Sequence, residues 1–399
     1  MTPLLNGIKV VDLTTVIMGP FATAQLGALG ADVIKVESPA GDNVRHIAPM
    51  ISPAMGAGYL NANRNKRAIT LDLKQPAARA ALGKILADAD VFVTNMRRKP
   101  AEKLGLDRET LCRAHPDLIH CQAVGFGRGG RYENDAAYDD VVQSMSGFAS
   151  VNANADGEPR FVPQIIVDKL SAMFIVEGVL ASLVHRERTG VAQSFEVPMF
   201  ETASYFLMTE HLQGQTHQPP IGPPGYARLM NPYRKPYRTR DGFVAVLPYV
   251  DKHWAKMLPL IGRENVLKEA WFQTTTERSK RVKELYQMVD EAMPARTTEE
   301  WLSLFREADI PCGPVNSMDD LLEDGHLSET GFFHEHDHPT EGRLRITRHP
   351  LAWQIDPEPE THAPGMGEHT EEVLRGAGLS DQEIAAMLES GAAVIAQSS

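Results

Sequence analysis

The first two hundred residues alternate short β-branched apolar runs with segments of helical periodicity, and this alternation narrows the fold more than any other feature. Ile8–Leu13, Asp32–Val36, Ala68–Leu73, Asp90–Thr94 and Leu118–Val124 read as strands. Between them the pattern predicts helices over Phe21–Leu29, opened by Pro20, over Pro76–Ala87 and over Pro100–Ala114. Strands apolar on both faces and separated by helices imply an α/β fold, a doubly wound and mostly parallel sheet. A long helix is predicted over Lys169–Arg186, then a strand at Ser194–Val197. Near Gln213 the composition changes: Gln218–Gly225 is rich in proline and glycine and reads as a linker or loop. Beyond it Arg240-Asp241-Gly242 marks a hairpin between Lys235–Arg238 and Phe243–Leu247, and helices are expected over Glu277–Glu291 and Thr298–Ala308. The expected division is a large domain over 1–212, a smaller α+β domain over 213–330, and a return over 331–399 that packs on the large domain.

With a formal charge of −12, a general attraction to nucleic acid or anionic lipid is not expected. A polyanionic small molecule would need a local basic cluster. The three cysteines have neither metal-type spacing nor a disulfide framework. The first residues lack a basic region followed by an apolar one, so no secretory signal is expected, and the most apolar stretch, Leu170–Val184, is too short to span a bilayer. These features fit a reducing cytoplasm.

A dinucleotide site needs glycines in the first strand-to-helix turn, where backbone approaches pyrophosphate. The turn here, Thr14-Thr15-Val16-Ile17-Met18-Gly19-Pro20, has one glycine, so no NAD(P) site is expected. His334, His336 and His338 alternate along a predicted strand, which reads as a polar edge rather than a metal site. Two basic clusters, Asn63–Arg67 and Asn95–Lys99, flank predicted strands. The second follows its strand, the better place for an anion. Asp168, between Pro163–Val167 and the long apolar helix, admits two readings from chemistry alone. It either caps the helix or is a buried-edge carboxylate able to act as a covalent nucleophile toward a thioester.

Several segments, in order along the chain, resemble the class III CoA-transferases (the CaiB/BaiF group, which includes formyl-CoA transferase and carnitine CoA-transferase). They are Gly7–Thr14, Gly19–Thr23, Leu29–Glu37, Asn63–Arg67 leading into Leu71–Lys74, Ala137–Asp139, Gln143–Gly147, Ile310–Asn316 and Gly367–Thr370. The resemblance runs from Leu5 to about Leu388. It implies a Rossmann-like large domain without the dinucleotide fingerprint and an interlocked homodimer with its active site between large and small domains. It implies Asp168 as the acylated residue, and CoA contacts at Val16, Met18, Leu71, Lys74, Asn95, Met96, Arg97, Lys103 and Leu104. Acyl-CoA and a carboxylic acid would be the substrates, succinyl-CoA a reasonable donor, with no tightly bound cofactor and no metal. Ser38 and Ile17 stand where formyl-CoA transferase has a basic residue and a glutamine, so formate and oxalate are not the expected acids. A racemase of the same superfamily would need a histidine four residues before Tyr138, where this chain has Asn134. A catalytically silent CoA-binding protein would not need Asp168.

Overall fold

The computed structural model describes residues 3–153, 157–351 and 360–396. They form two compact units, one built from residues up to 153, 159–207 and 331 onward, the other chiefly from 208–330. In chain order the first unit begins β1 (Lys9–Leu13), α1 (Met18–Ala28), β2 (Asp32–Glu37), α2 (Ala57–Ala62), β3 (Lys66–Leu71), α3 (Pro76–Ala87) and β4 (Val91–Thr94). It continues with α4 (Arg98–Leu104), α5 (Arg108–Ala114), β5 (Ile119–Val124), α6 (Asp139–Ser146), α7 (Phe148–Val151), α8 (Ile166–Thr189) and β6 (Ser194–Pro198). Helix α9 (Met199–His211) runs on into the second unit, which holds β7 (Tyr237–Arg238), β8 (Phe243–Val246) and β9 (Cys312–Pro314). The chain then returns through the hairpin β10 (Phe333–His338) and β11 (Gly342–Thr347) and ends on β12 (Ala393–Val394).

The large sheet has the order β12-β3-β2-β1-β4-β5-β6. Strands β1 to β6 are parallel to their neighbours, and β12 closes the edge antiparallel to β3. Successive side chains of β1 point to opposite faces, and both faces are covered. Val10 packs with Leu26, Val93, Cys121, Ile175 and Val179, under α1 and α8. Val11 packs with Ile69, Leu82, Phe92 and Leu374, under α3 and the C-terminal helices. This two-sided burial is why the strands read as continuous apolar runs rather than alternating ones.

In the first unit three helix boundaries differ from expectation. Helix α1 starts at Met18, so Pro20 lies inside its first turn, where a missing N–H costs nothing. The predicted helix over Pro100–Ala114 is two helices, because Gly105 turns left-handed (φ +70°) and stops α4. Helix α8 begins at Ile166, earlier than expected, and runs to Thr189 before Gly190. The burial of Val167, with no surface exposed, draws the chain into the helix ahead of Asp168.

In the second unit, β7-β8-β9 form a small antiparallel sheet with Tyr237 opposite Val244. Its core gathers Tyr237, Val244, Trp254, Tyr286, Trp301 and Phe305. The helix expected over Glu277–Glu291 breaks at Arg281 into Thr275–Lys280 and Val282–Ala292. Among the described residues no helix is long and apolar enough to cross a membrane, and no group of three or more His, Cys, Asp or Glu is placed to hold a metal ion. His338, on β10, is buried, with Nε2 2.9 Å from the Ala363 carbonyl oxygen.

Candidate functional site

The strand order reverses at β1, with β2 on one side and β4 on the other. A crevice outside the carboxyl ends of the strands at such a reversal is where open α/β sheets take ligands. A cavity of about 730 Å³ lies there. The loop after β1 supplies Thr15, Val16 and Met18, and the segment after β4 supplies Asn95, Arg97, Lys99 and Lys103. Ala123, Val124 and Gly125 come from the end of β5, and Asn134, Tyr138 and Asp168 complete the wall. A larger hollow of about 1160 Å³ opens at the opposite, amino end of the sheet beside Asp32 and Lys66, and holds none of the predicted site residues.

The cavity thus brings together Asp168, Val16, Met18, Asn95, Arg97 and Lys103. The other four predicted contacts lie outside its lining. Leu71 has no exposed surface and belongs to the core, where its backbone pairs with Ala393. A side chain so placed offers a ligand nothing. Met96 and Leu104 pack against the same core, because the apolar stripe of this segment turns inward. Lys74 is exposed on the turn after β3, which Asp72 closes by accepting from its N–H at 3.2 Å.

The loop after β1 is fitted tightly to its helix. A Cβ on Gly19 would sit 2.3 Å from the Thr14 Cβ, so this glycine serves helix-to-strand packing. Val16 has φ +72°, a left-handed conformation that costs a β-branched residue roughly 1–2 kcal/mol. The opposite side of the crevice is shaped by Arg98, a buried cation that sequence reasoning did not single out. Its guanidinium donates to both Glu196 carboxylate oxygens (3.2 and 2.9 Å) and to the carbonyls of Glu133 (2.7 Å) and Phe126 (3.1 Å). Arg98 is therefore structural, whereas Arg97, Lys99 and Lys103 stand exposed at the cavity.

Asp168 is the third residue of α8, so it does not cap the helix; Ile165 holds that position and makes no side-chain cap. The Asp168 N–H, one of the free donors of the first turn, is satisfied by Asp139 Oδ1 at 2.9 Å. Asp139 is held in turn by Gln143 one helical turn on, whose Nε2 donates to Asp139 Oδ2 at 2.7 Å. Gln143, fully buried, also bonds the carbonyls of Val162 (3.3 Å) and Gln164 (3.1 Å) and accepts from the Val162 N–H at 2.9 Å. The loop entering α8 is fastened through these two side chains of α6. Neither was assigned a role from sequence, although their four-residue separation on a helix was a usable signal.

The Asp168 carboxylate itself, half-buried, accepts no hydrogen bond and forms no ion pair among the described residues. Burial, and then the negative charge of Asp139, push its carboxyl up to about 7. Among the described residues the site therefore offers a poorly solvated carboxylate, free of partners, in a crevice with three exposed cations. That arrangement suits an anionic ligand with an electrophilic carbon at one end.

A family model described as CoA-transferase family III matches residues 5–370. The chain belongs to that family. Among curated relatives it is 31% identical to cinnamoyl-CoA:phenyllactate CoA-transferase of Clostridium sporogenes, over 96% of this chain and 95% of that one. It is 28% identical to succinyl-CoA:glutarate CoA-transferase of Mus musculus, over 93% and 86% respectively. The crystal structure of Rv3272 from Mycobacterium tuberculosis superposes with a TM-score of 0.82 at 27% identity, covering 93% of this chain and 99% of that one. A CaiB/BaiF family protein from Brucella suis superposes with a TM-score of 0.79 at 27% identity, covering 94% and 100%. Membership makes this chain an enzyme of the CoA-transferase class, acting on CoA thioesters and carboxylates.

Proposed function

We propose that this family III CoA-transferase carries CoA between carboxylic acids on Asp168. The observation that carries the reading is the unpaired, half-buried Asp168 carboxylate, with its carboxyl pushed up to about 7, in a cavity shared with Arg97, Lys99 and Lys103. A carboxylate stripped of solvent is a stronger nucleophile than one in water. An Asp168 oxygen attacks the donor thioester carbonyl, the C–S bond breaks, and CoA leaves as thiolate from a mixed anhydride. The thiolate attacks the aspartyl carbonyl, releasing the donor acid as carboxylate and leaving an aspartyl-CoA thioester. The acceptor carboxylate then displaces CoA thiolate to form a second anhydride. Thiolate attack on the acceptor acyl carbon gives the new acyl-CoA and restores the Asp168 carboxylate. No net proton is consumed. Throughout, Arg97, Lys99 and Lys103 hold the CoA phosphates, with Val16 and Met18 along the wall.

Succinyl-CoA is the donor this reading favours, in keeping with the names of the mouse succinyl-CoA:glutarate CoA-transferase and of a 31% identical succinate–glutarate CoA-transferase from Agrobacterium fabrum. The acceptor is then a carboxylic acid, a dicarboxylate foremost. Asn134 lines the cavity where a racemase would need an acid–base histidine, and a carboxamide cannot exchange an α-proton. The working enzyme is read as an interlocked homodimer of the cytoplasm, on the strength of the family resemblance and three unpaired cysteines. The test is mass spectrometry after incubation with succinyl-CoA and hydroxylamine. A hydroxamate on Asp168 is expected; an unmodified Asp168 in enzyme that transfers CoA overturns the mechanism.

A further inference from the structure

The loop after β1 makes almost none of its hydrogen bonds to other backbone. The Thr14 N–H donates to Asp12 Oδ1 (3.0 Å), and the Thr14 carbonyl accepts from Lys35 Nζ (3.0 Å). The Thr15 N–H donates to Asn95 Oδ1 (3.1 Å), and the Thr15 carbonyl accepts from Asn95 Nδ2 (2.8 Å). The Val16 N–H donates to Asp42 Oδ1 (3.1 Å). Each main-chain polar group from the Thr14 N–H to the Val16 N–H is thus held by a side chain.

Two of these bonds come from one residue. The ladder between β1 and β4 ends at Leu13 opposite Thr94, and the strands part there to open the crevice. Asn95, next after β4, replaces the missing rung with its carboxamide, which both donates to and accepts from the Thr15 peptide. The neighbour of that peptide is Val16, at φ +72°. A valine in this conformation relaxes toward the extended region unless its surroundings over-determine it. Asp12, Lys35 and Asp42 are fully buried, whereas Asn95 reaches the cavity surface. It is therefore the clamp that can be removed without uncovering a buried charge.

We propose that Asn95 is a positioning residue for the transfer reaction. Its carboxamide spans the crevice to hold the Thr15 peptide and keeps Val16 left-handed, so that the wall of Val16 and Met18 is formed before the thioester arrives at Asp168. This rests on the cavity being the acyl-CoA site. CoA gathers its affinity from contacts along the whole cavity, while attack depends on alignment at one end. Loss of the clamp then acts on turnover more than on binding.

The experiment is a cycle of Asn95→Ala and Val16→Gly in the full-length enzyme, with kcat and KM for succinyl-CoA measured for each. Asn95→Ala is expected to lower kcat about 10- to 100-fold while KM changes less than about threefold. In the Val16→Gly background, the same change is expected to cost less than about threefold, because glycine adopts the left-handed conformation unaided. A raised KM with kcat kept would make Asn95 a direct CoA contact and overturn the proposal, as would equal losses in both backgrounds. Should Asn95→Ala fail to fold, Asn95→Asp keeps the acceptor for the Thr15 N–H and loses the donor. An intermediate fall in kcat is then expected, and an unchanged kcat overturns the proposal. Normal Asp168 hydroxamate with unimpaired Asn95→Ala turnover defeats this inference alone, whereas a missing hydroxamate in active wild-type enzyme defeats the reading beneath it.

Discussion

Two aspartates in the first unit show that burial alone does not decide what a carboxylate becomes. Asp12, at the end of β1, has no exposed surface, and burial by itself would raise its carboxyl. Lys66 Nζ stands 2.9 Å away, Lys35 adds its charge, and the Thr14 and Thr23 hydroxyls donate to it, so the group is held down at about 2. Asp168 is less buried, is paired with no cation and accepts from no donor among the described residues, and faces the negative charge of Asp139; its carboxyl is pushed up to about 7. The first is a permanently ionised joint between strands and loop. The second changes protonation near neutrality and remains available to react. The difference lies in their partners.

The contrast breaks first at Asp12. Asp12→Asn leaves Lys66 in the core without its counter-charge and is expected to cost about 3–5 kcal/mol, read by urea unfolding. A loss below about 1 kcal/mol would mean that Lys66 finds another partner or sheds its proton cheaply.

Asp168→Asn should act in the opposite direction. Because the folded carboxyl titrates above its unfolded value of 3.8, the folded state keeps a proton that the unfolded state gives up between about pH 4 and 7. The cost of ionising Asp168 is absent below that window and complete above it. Asparagine escapes it at every pH, so at pH 8 the variant should be more stable by about 1–2 kcal/mol, after discounting for solvent screening. The gain should fade toward pH 4, while transfer is lost throughout. Thermal melts across that range check the sign, and a gain constant with pH would assign it to something other than charge.

The finest adjustment is Asp139→Asn, which keeps an oxygen for the Asp168 N–H and removes the like charge. In the wild type, kcat/KM should rise with pH as Asp168 loses its proton near 7. The variant's limb should move to lower pH, toward the ordinary carboxylate range. A limb that stays in place would make burial the sole cause of the raised value.

Much of the sheet was legible because parallel strands buried on both faces must be apolar throughout, and β4 and β5 are buried at every residue. Helix α3 was equally plain, opened by Pro76 and amphipathic to Ala87. The splits at Gly105 and Arg281 were not, since apolar spacing persists across a break in the backbone. At the site, Asp168, Arg97 and Asn95 were within reach, the first by its place before an apolar run and the others by following a strand, whereas Lys103 came only with the family resemblance. Leu71 and Leu104 were named as contacts by the resemblance alone, and packing turns both toward the core.

The order of apolar and polar residues was enough to determine a doubly wound α/β sheet, an anion-friendly segment after β4, and an aspartate at the head of a long helix. The fold alone decided which polar and charged groups meet. Lys66 comes 54 residues after Asp12, Asn95 lies 80 after Thr15, and Asp168 comes 29 after Asp139. A carboxylate's reactivity depends on charges and donors within a few ångströms, and those distances exist only once the chain has closed.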